Sequence, residues 1–171
     1  MYIFEVGFGT GLNALLTAFK STAGEREVNY TSIEKYPLSN KIIRSLNHPQ
    51  FAGKDGKDIY NSIHSSPWNI KVNICKNFNL TKIKGDFAAT ALSDQYDLIY
   101  FDAFSPDKQP EMWTKEIFMG IASVTRRGGV FVTYSAKGEV KRNLKACGFE
   151  VHLLPGPPGK RQIIRGIKIL N

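Results

Sequence analysis

The sequence predicts an α/β fold built on an open, doubly wound sheet, and three observations predict it. Short apolar runs alternate with segments of helical spacing along most of the chain. One run, "QYDLIYFDAF", is nearly continuous in apolar residues, as a strand buried on both faces of a parallel sheet should be. A glycine-studded turn, "GFGTG", joins the first run to the first helical segment, where such sheets bind their ligands.

Taken in order, "YIFEV" reads as a short buried strand that stops at Gly7. "GLNALLTAFKST" follows as a helix, with Leu12, Leu15, Leu16 and Phe19 at helical spacing and Gly24 to end it. "VNYTSIE" is a second strand. "PLSNKIIRSL" is a helix with Pro37 at its first position, where the missing N–H costs nothing. Residues 47–68 are polar and hold one short helix around "KDIYNSIHS". "NIKVNICKN" and "FNLTKIKGD" alternate about a tight turn, as an inserted β-hairpin would. The apolar strand comes next, then "PEMWTKEIFMGIASV" as a helix opening on Pro110. "GGVFVTYS" is a strand, "GEVKRNLKACG" a helix closed by Gly148, and "FEVHLL" a strand. The loop "PGPPGKRQ" leads into "IIRGIKIL", the last strand. No repeat, low-complexity tract or linker interrupts this order, so residues 1–171 read as a single domain.

A chain of 171 residues suits one domain with a sizeable core, and 42% hydrophobic residues place it among globular chains. No apolar run approaches the roughly 18–20 residues that span a bilayer, and no leader precedes the first strand, so a cytoplasmic location is expected. Cys75 and Cys147 lie far apart and read as reduced thiols. His48, His64 and His152 are scattered, and no metal is expected. Lys plus Arg number 23 against 15 Asp plus Glu, a net charge of +8. That excess suits a polyanionic partner, although many small basic proteins bind no nucleic acid, and charge alone leaves the matter open.

The glycine turn is more specific. A dinucleotide fingerprint would require glycine at position 12, which is Leu12, so NAD is not expected. The spacing present is E-x-G-x-G-x-G, from Glu5 through Gly7, Gly9 and Gly11. Glu34 closes the second strand about 20 residues further on, where a carboxylate accepts ribose hydroxyls. This constellation resembles the class I S-adenosylmethionine-dependent methyltransferases. The resemblance implies a Rossmann-like sheet, mostly parallel, with an antiparallel last strand. It assigns Glu5, Gly7, Phe8, Gly9, Thr10, Gly11 and Asn13 to the loop that packs against the cofactor. It assigns Glu34 to the ribose, Asp86 to the adenine amino group, and Lys35 to the cofactor site beside them. Phe87 either flanks the adenine ring or belongs to the core.

The stretch "YDLIYFDAFSPDKQPEMWTKEIF" narrows the resemblance. With "EVGFGTGLN", "SIEKYPL", "GGVFVTYSAKGEVKRNLKACGFEV" and "GKRQIIRG", it resembles the methyltransferase part of the MnmC-type bifunctional tRNA enzymes, from residue 3 to about 166. The resemblance implies methylation of the C5 aminomethyl amine of the tRNA wobble uridine, in the anticodon loop, to give 5-methylaminomethyl-2-thiouridine. Asp102 would orient that amine and assist its deprotonation; as a bare strand-end acid it would only cap the following turn. Phe104 and Trp113 suit an aromatic platform for a flipped base, and Trp113 equally suits packing its helix onto the sheet. Lys160 and Arg161 either meet RNA phosphate or are simply solvated. The family carries a longer segment before the glycine strand, which is missing here, and "GPPGKRQ" replaces its usual glycine–aromatic–glycine loop. Its flavin-dependent oxidoreductase domain is also absent, so that activity is expected of a separate partner protein. Two rivals stand beside this reading. One is a spermidine-synthase-like aminopropyltransferase; the other is a non-catalytic S-adenosylmethionine-binding module.

Overall fold

Alternating strands and helices run the length of the computed structural model, which describes residues 1–51 and 53–170. The strands are β1 (Tyr2–Val6), β2 (Val28–Glu34), β3 (Lys71–Cys75), β4 (Phe78–Lys84), β5 (Tyr96–Phe101), β6 (Thr125–Thr133), β7 (Phe149–Pro155) and β8 (Gln162–Lys168). The helices are α1 (Leu12–Thr22), α2 (Asn40–Ser45), α3 (Gly56–Ser65), α4 (Lys115–Val124) and α5 (Gly138–Ala146). Short 3-10 helices cover His48–Phe51, Phe87–Ala89 and Pro110–Trp113. The strand order is β3-β4-β2-β1-β5-β6-β8-β7. Pairs β2–β4, β1–β5 and β5–β6 are parallel. The last strand runs antiparallel to both of its neighbours, β6 and β7, and β3 forms an antiparallel hairpin with β4, as expected. Asn77, at φ 62°, makes the hairpin's tight turn.

The contacts group the chain into two compact units, Met1–Tyr2 with Gly7–Phe87 and Ile3–Val6 with Ala88–Asn171. In the first unit α1 lies against β2, β3, β4 and α3. Its core holds Ala14, Leu15 and Ala18 from α1, Ile59 and Ile63 from α3, and Tyr30, Ile33, Phe78 and Leu80 from the strands. The face that α1 buries differs from the one its large apolar residues suggest. Leu16 and Phe19 are 39% and 36% exposed, while Ala14, Leu15, Ala18 and Ser21 turn inward. Small side chains let a helix approach a sheet closely, and that fit outweighs the pull of the bulkier residues.

Two helices begin later than their prolines suggest. Ser39 caps α2, its Oγ accepting from Ile42 N at 3.5 Å, so the helix starts at Asn40 and Pro37 lies outside it. The segment opening on Pro110 breaks in two, because Thr114 is extended (φ −74°, ψ 163°) and caps α4 by accepting from Ile117 N at 3.4 Å.

In the second unit α4 and α5 pack together, and α5 lies against β7. Phe101, Trp113, Phe118, Phe131 and Phe149 form its aromatic core. Lys168, 6% exposed, donates to the Cys147 carbonyl at 3.0 Å, placing a cation at the C-terminus of α5. Among the described residues, no helix is long and apolar enough to cross a membrane.

Candidate active site

The turn after β1 is made possible by its glycines. Gly7, Gly9 and Gly11 have φ of 91°, 50° and 72°, a region that side chains other than glycine's disfavour. Gly7 N donates to Ile33 O at 3.0 Å, tying the turn to the end of β2. Gly11 N donates to Phe8 O at 2.8 Å and closes it. Gly11 then caps α1.

Glu34, half-buried at the end of β2, holds this turn from one side. Its Oε2 accepts from Gly9 N at 3.0 Å and its Oε1 from Tyr36 N at 2.8 Å. A carboxylate has about four lone-pair positions, so both oxygens keep acceptor capacity for a ligand. Gly85 N donates to Glu34 O at 3.0 Å, which brings Asp86 alongside the end of β2. There Lys35 Nζ meets Asp86 Oδ2 at 2.8 Å, and this hydrogen bond raises the lysine's pKa above its ordinary 10.5. The structure therefore brings Gly7, Gly9, Gly11, Glu34, Lys35 and Asp86 together at one end of the first unit. Thr10 and Asn13 are half-buried beside them; the Asn13 carbonyl accepts from Thr17 Oγ1 at 2.7 Å.

Two aromatic side chains assigned to the cofactor are largely buried. Phe8 is 5% exposed, its ring edge-on to His64 and Trp68. Phe87 is 9% exposed in its short 3-10 helix. Glu5, at 1% exposure on β1, is enclosed by protein.

In the second unit, Asp102 follows β5 directly and is exposed, its backbone N donating to Val6 O at 2.9 Å. The two carbonyls after it are pinned by aromatic side chains. Tyr134 Oη donates to Ala103 O at 2.8 Å, and Trp113 Nε1 donates to Phe104 O at 2.8 Å. Trp113 is 4% exposed among Phe101, Phe118 and Tyr134, so it is a packing and anchoring residue and not an open platform. Phe104, by contrast, is 69% exposed. Lys160 Nζ sits 3.7 Å from the Tyr134 ring centroid. Burial, and then the Asp102 charge, raise the Tyr134 phenol above its ordinary 10.0 and keep it a neutral donor. Arg161 is exposed on the same loop, its carbonyl accepting from Gly156 N at 3.2 Å.

Three residues of these surroundings escaped the sequence reading: Tyr134, His64 and Lys82. Lys82 had a signal, because it occupies the inward face of β4 with Phe78 and Leu80. It is 1% exposed, and its Nζ donates to Ile63 O at 2.8 Å and His64 O at 3.1 Å, carbonyls in the last turn of α3. Burial lowers its pKa to about 8. His64 is lowered from 6.5 to about 4, by burial first and by the Lys82 charge second. Cys75 and Cys147 are free thiols. Among the described residues, no group of three or more His, Cys, Asp or Glu residues is arranged to hold a metal.

Known proteins share both the fold and the sequence. The chain is 33% identical to the tRNA 5-methylaminomethyl-2-thiouridine biosynthesis bifunctional protein MnmC of Actinobacillus pleuropneumoniae, over 97% of this chain and 27% of that protein. It is 35% identical to the protein of the same name from Campylobacter hominis, over 95% of this chain and 25% of that one. The chain thus spans about a quarter of the length of the curated relatives it matches. MnmC2 from Aquifex aeolicus superposes with a TM-score of 0.72 at 24% identity, over 97% of this chain and 52% of that one, which shows the fold. A family model for S-adenosyl-L-methionine-dependent methyltransferases matches residues 57–169, from α3 through β8. With the glycine turn and Glu34 preceding that span, the chain belongs to the S-adenosyl-L-methionine-dependent methyltransferase family.

Proposed function

We propose that this chain methylates the aminomethyl amine at C5 of a tRNA wobble uridine, giving 5-methylaminomethyl-2-thiouridine. The observation that carries the reading is similarity to proteins named for that biosynthesis across 97% of this chain. The net charge of +8 supports it, since a tRNA is a polyanion and a polyamine substrate would favour an acidic surface.

The residues of the first unit fit S-adenosylmethionine. A Cβ at Gly9 would meet nothing within 4 Å, so the turn is open on that side. Glu34 has spare lone pairs for ribose hydroxyls, and Asp86 offers a carboxylate for an amino group. Gly7, Gly9, Gly11, Glu34 and Asp86 would hold the cofactor, with Lys35 setting the Asp86 carboxylate through its 2.8 Å bond. When bound, the cofactor supplies an electrophilic methyl group on a sulfonium.

Asp102 carries the chemistry of the acceptor in this reading. An alkyl amine is mostly protonated near neutral pH, and its lone pair is then unavailable. The Asp102 carboxylate accepts a hydrogen bond from that amine, aims the lone pair and draws away its proton. Carboxylates are weak bases, so orientation and charge contribute more than proton affinity. Tyr134 and Trp113, by holding the Ala103 and Phe104 carbonyls, fix the backbone that presents Asp102. Phe104 offers an exposed ring to a splayed base, and Lys160 and Arg161 face phosphate. A flavin-dependent oxidoreductase activity supplies the aminomethyl group, and both activities act in the cytoplasm.

Transfer of a labelled methyl group to bulk tRNA from a strain lacking this methylation tests the reading. Label should enter tRNA, and tRNA binding should weaken steeply with salt. Label-free tRNA, or aminopropyl transfer to a diamine from decarboxylated cofactor, would overturn it.

A further inference from the structure

The cofactor turn is held from beneath by α3 as well as from the side by Glu34. His64, in the last turn of α3, places Nε2 3.2 Å from the Thr10 carbonyl. A carbonyl only accepts, so Nε2 carries the proton and donates. The same ring lies against Gly11: a Cβ built there would be 3.0 Å from His64 Nε2 and 3.1 Å from Phe8 Cζ. Gly11 is therefore fixed as glycine twice, by its φ of 72° and by the imidazole under it. The support has its own anchor. Lys82 bonds the Ile63 and His64 carbonyls at 2.8 and 3.1 Å, and its Nζ lies 4.9 Å from the Trp68 ring centroid. Tyr60, one turn earlier on α3, packs on His64 with ring centroids 4.3 Å apart.

We propose that His64 is a positioning residue for the cofactor, setting the height of the glycine turn through Thr10 and Gly11, with Lys82 locking the helix end that carries it. The inference rests on the reading of this turn as the S-adenosylmethionine site. Its physical basis is entropic. A turn with three glycines at positive φ has many alternative conformations when free, and those conformations must be surrendered when a ligand binds. A hydrogen bond at Thr10 and a ring beneath Gly11 remove them beforehand. A buried lysine on the apolar face of a strand is costly without a function, and holding the last carbonyls of α3 supplies one.

The test is calorimetric titration with S-adenosylhomocysteine. His64→Leu keeps the bulk and removes the donor, and it should weaken binding by about tenfold, the scale of one lost buried hydrogen bond. His64→Gln restores an N–H donor and should recover most of that loss. Gly11→Ala should cost less affinity in a His64→Ala background than in wild type, because the ring that the new Cβ meets is gone while the backbone strain is common to both. Nitrogen-15 NMR of the unmodified protein should show the Nε2–H tautomer of His64 and a shift in it on titration. Unchanged affinity in the leucine variant, equal costs of Gly11→Ala in both backgrounds, or an Nδ1–H tautomer would each overturn the inference. Failure of wild type to bind S-adenosylhomocysteine would instead overturn the cofactor reading beneath it.

Discussion

Replacing Glu34 should separate its two duties, and the structure sets the size of each. The carboxylate accepts from Gly9 N at 3.0 Å and Tyr36 N at 2.8 Å, one bond on each oxygen. Hydrogen bonds to a charged group contribute about 1.5–3 kcal/mol when well buried. Glu34 is half-buried, so water compensates in part and the pair together should contribute about 1–3 kcal/mol to stability. Any ribose contact adds a further loss that appears only in binding. Glu34→Gln is the informative change. An amide offers one acceptor oxygen and one donor nitrogen, so it can satisfy either Gly9 N or Tyr36 N but faces the other with a donor. The glutamine variant should therefore lose nearly as much as Glu34→Ala, despite its matching shape. Urea denaturation should show both variants destabilised by about 1–3 kcal/mol. Calorimetry should show cofactor affinity reduced about tenfold to a hundredfold. Wild-type affinity and stability in Glu34→Gln would refute the claim that the carboxylate organises this turn.

Asp102→Ala should leave cofactor affinity near wild type while single-turnover methyl transfer falls by about 10²–10⁴; Asp102→Asn should stay as slow if charge matters and recover if orientation suffices. Near wild-type transfer in the alanine variant would show that another residue meets the amine. Tyr134→Phe removes only the 2.8 Å bond to the Ala103 carbonyl and should cost about 1 kcal/mol of stability with a lower kcat, read by denaturation and steady-state kinetics. Stability should also fall as pH drops from 6.5 towards 4. The folded His64 titrates near 4, so in that window the unfolded chain takes up a proton that the folded chain refuses. The groups facing it, Lys82 from β4 and His48 from the preceding 3-10 helix, both oppose its charge, and the Thr10 carbonyl favours it. The gap amounts to about 3 kcal/mol, at 1.36 kcal/mol per pH unit, and His64→Gln should flatten that part of a urea-denaturation pH series.

Much of this was legible in sequence, because the strongest signals were local. Period-two alternation and unbroken apolar runs located every strand, and the glycine turn with Glu34 marked one end of the sheet. Helix starts were harder to read, since Ser39 and Thr114 outcompete the nearby prolines through side-chain caps that depend on backbone geometry. The buried face of α1 depended on tertiary fit, which favoured Ala14 and Ala18 over Leu16 and Phe19. Trp113 looked equally suited to two roles until its indole bond to the Phe104 carbonyl decided between them. His64 was invisible as a functional residue because its partners, Thr10 and Gly11, lie more than fifty positions away in the chain. Lys82 was readable in principle, as a lysine on the inward face of an alternating strand.

The measurement that bears most directly on the account is nucleoside analysis of tRNA carrying the aminomethyl group, digested after incubation with this protein and S-adenosylmethionine. The expected product is 5-methylaminomethyl-2-thiouridine at the wobble position, formed by wild type and lost in Asp102→Ala. Methylation at another nucleoside, or an unchanged aminomethyl uridine beside a protein that binds the cofactor, would contradict it.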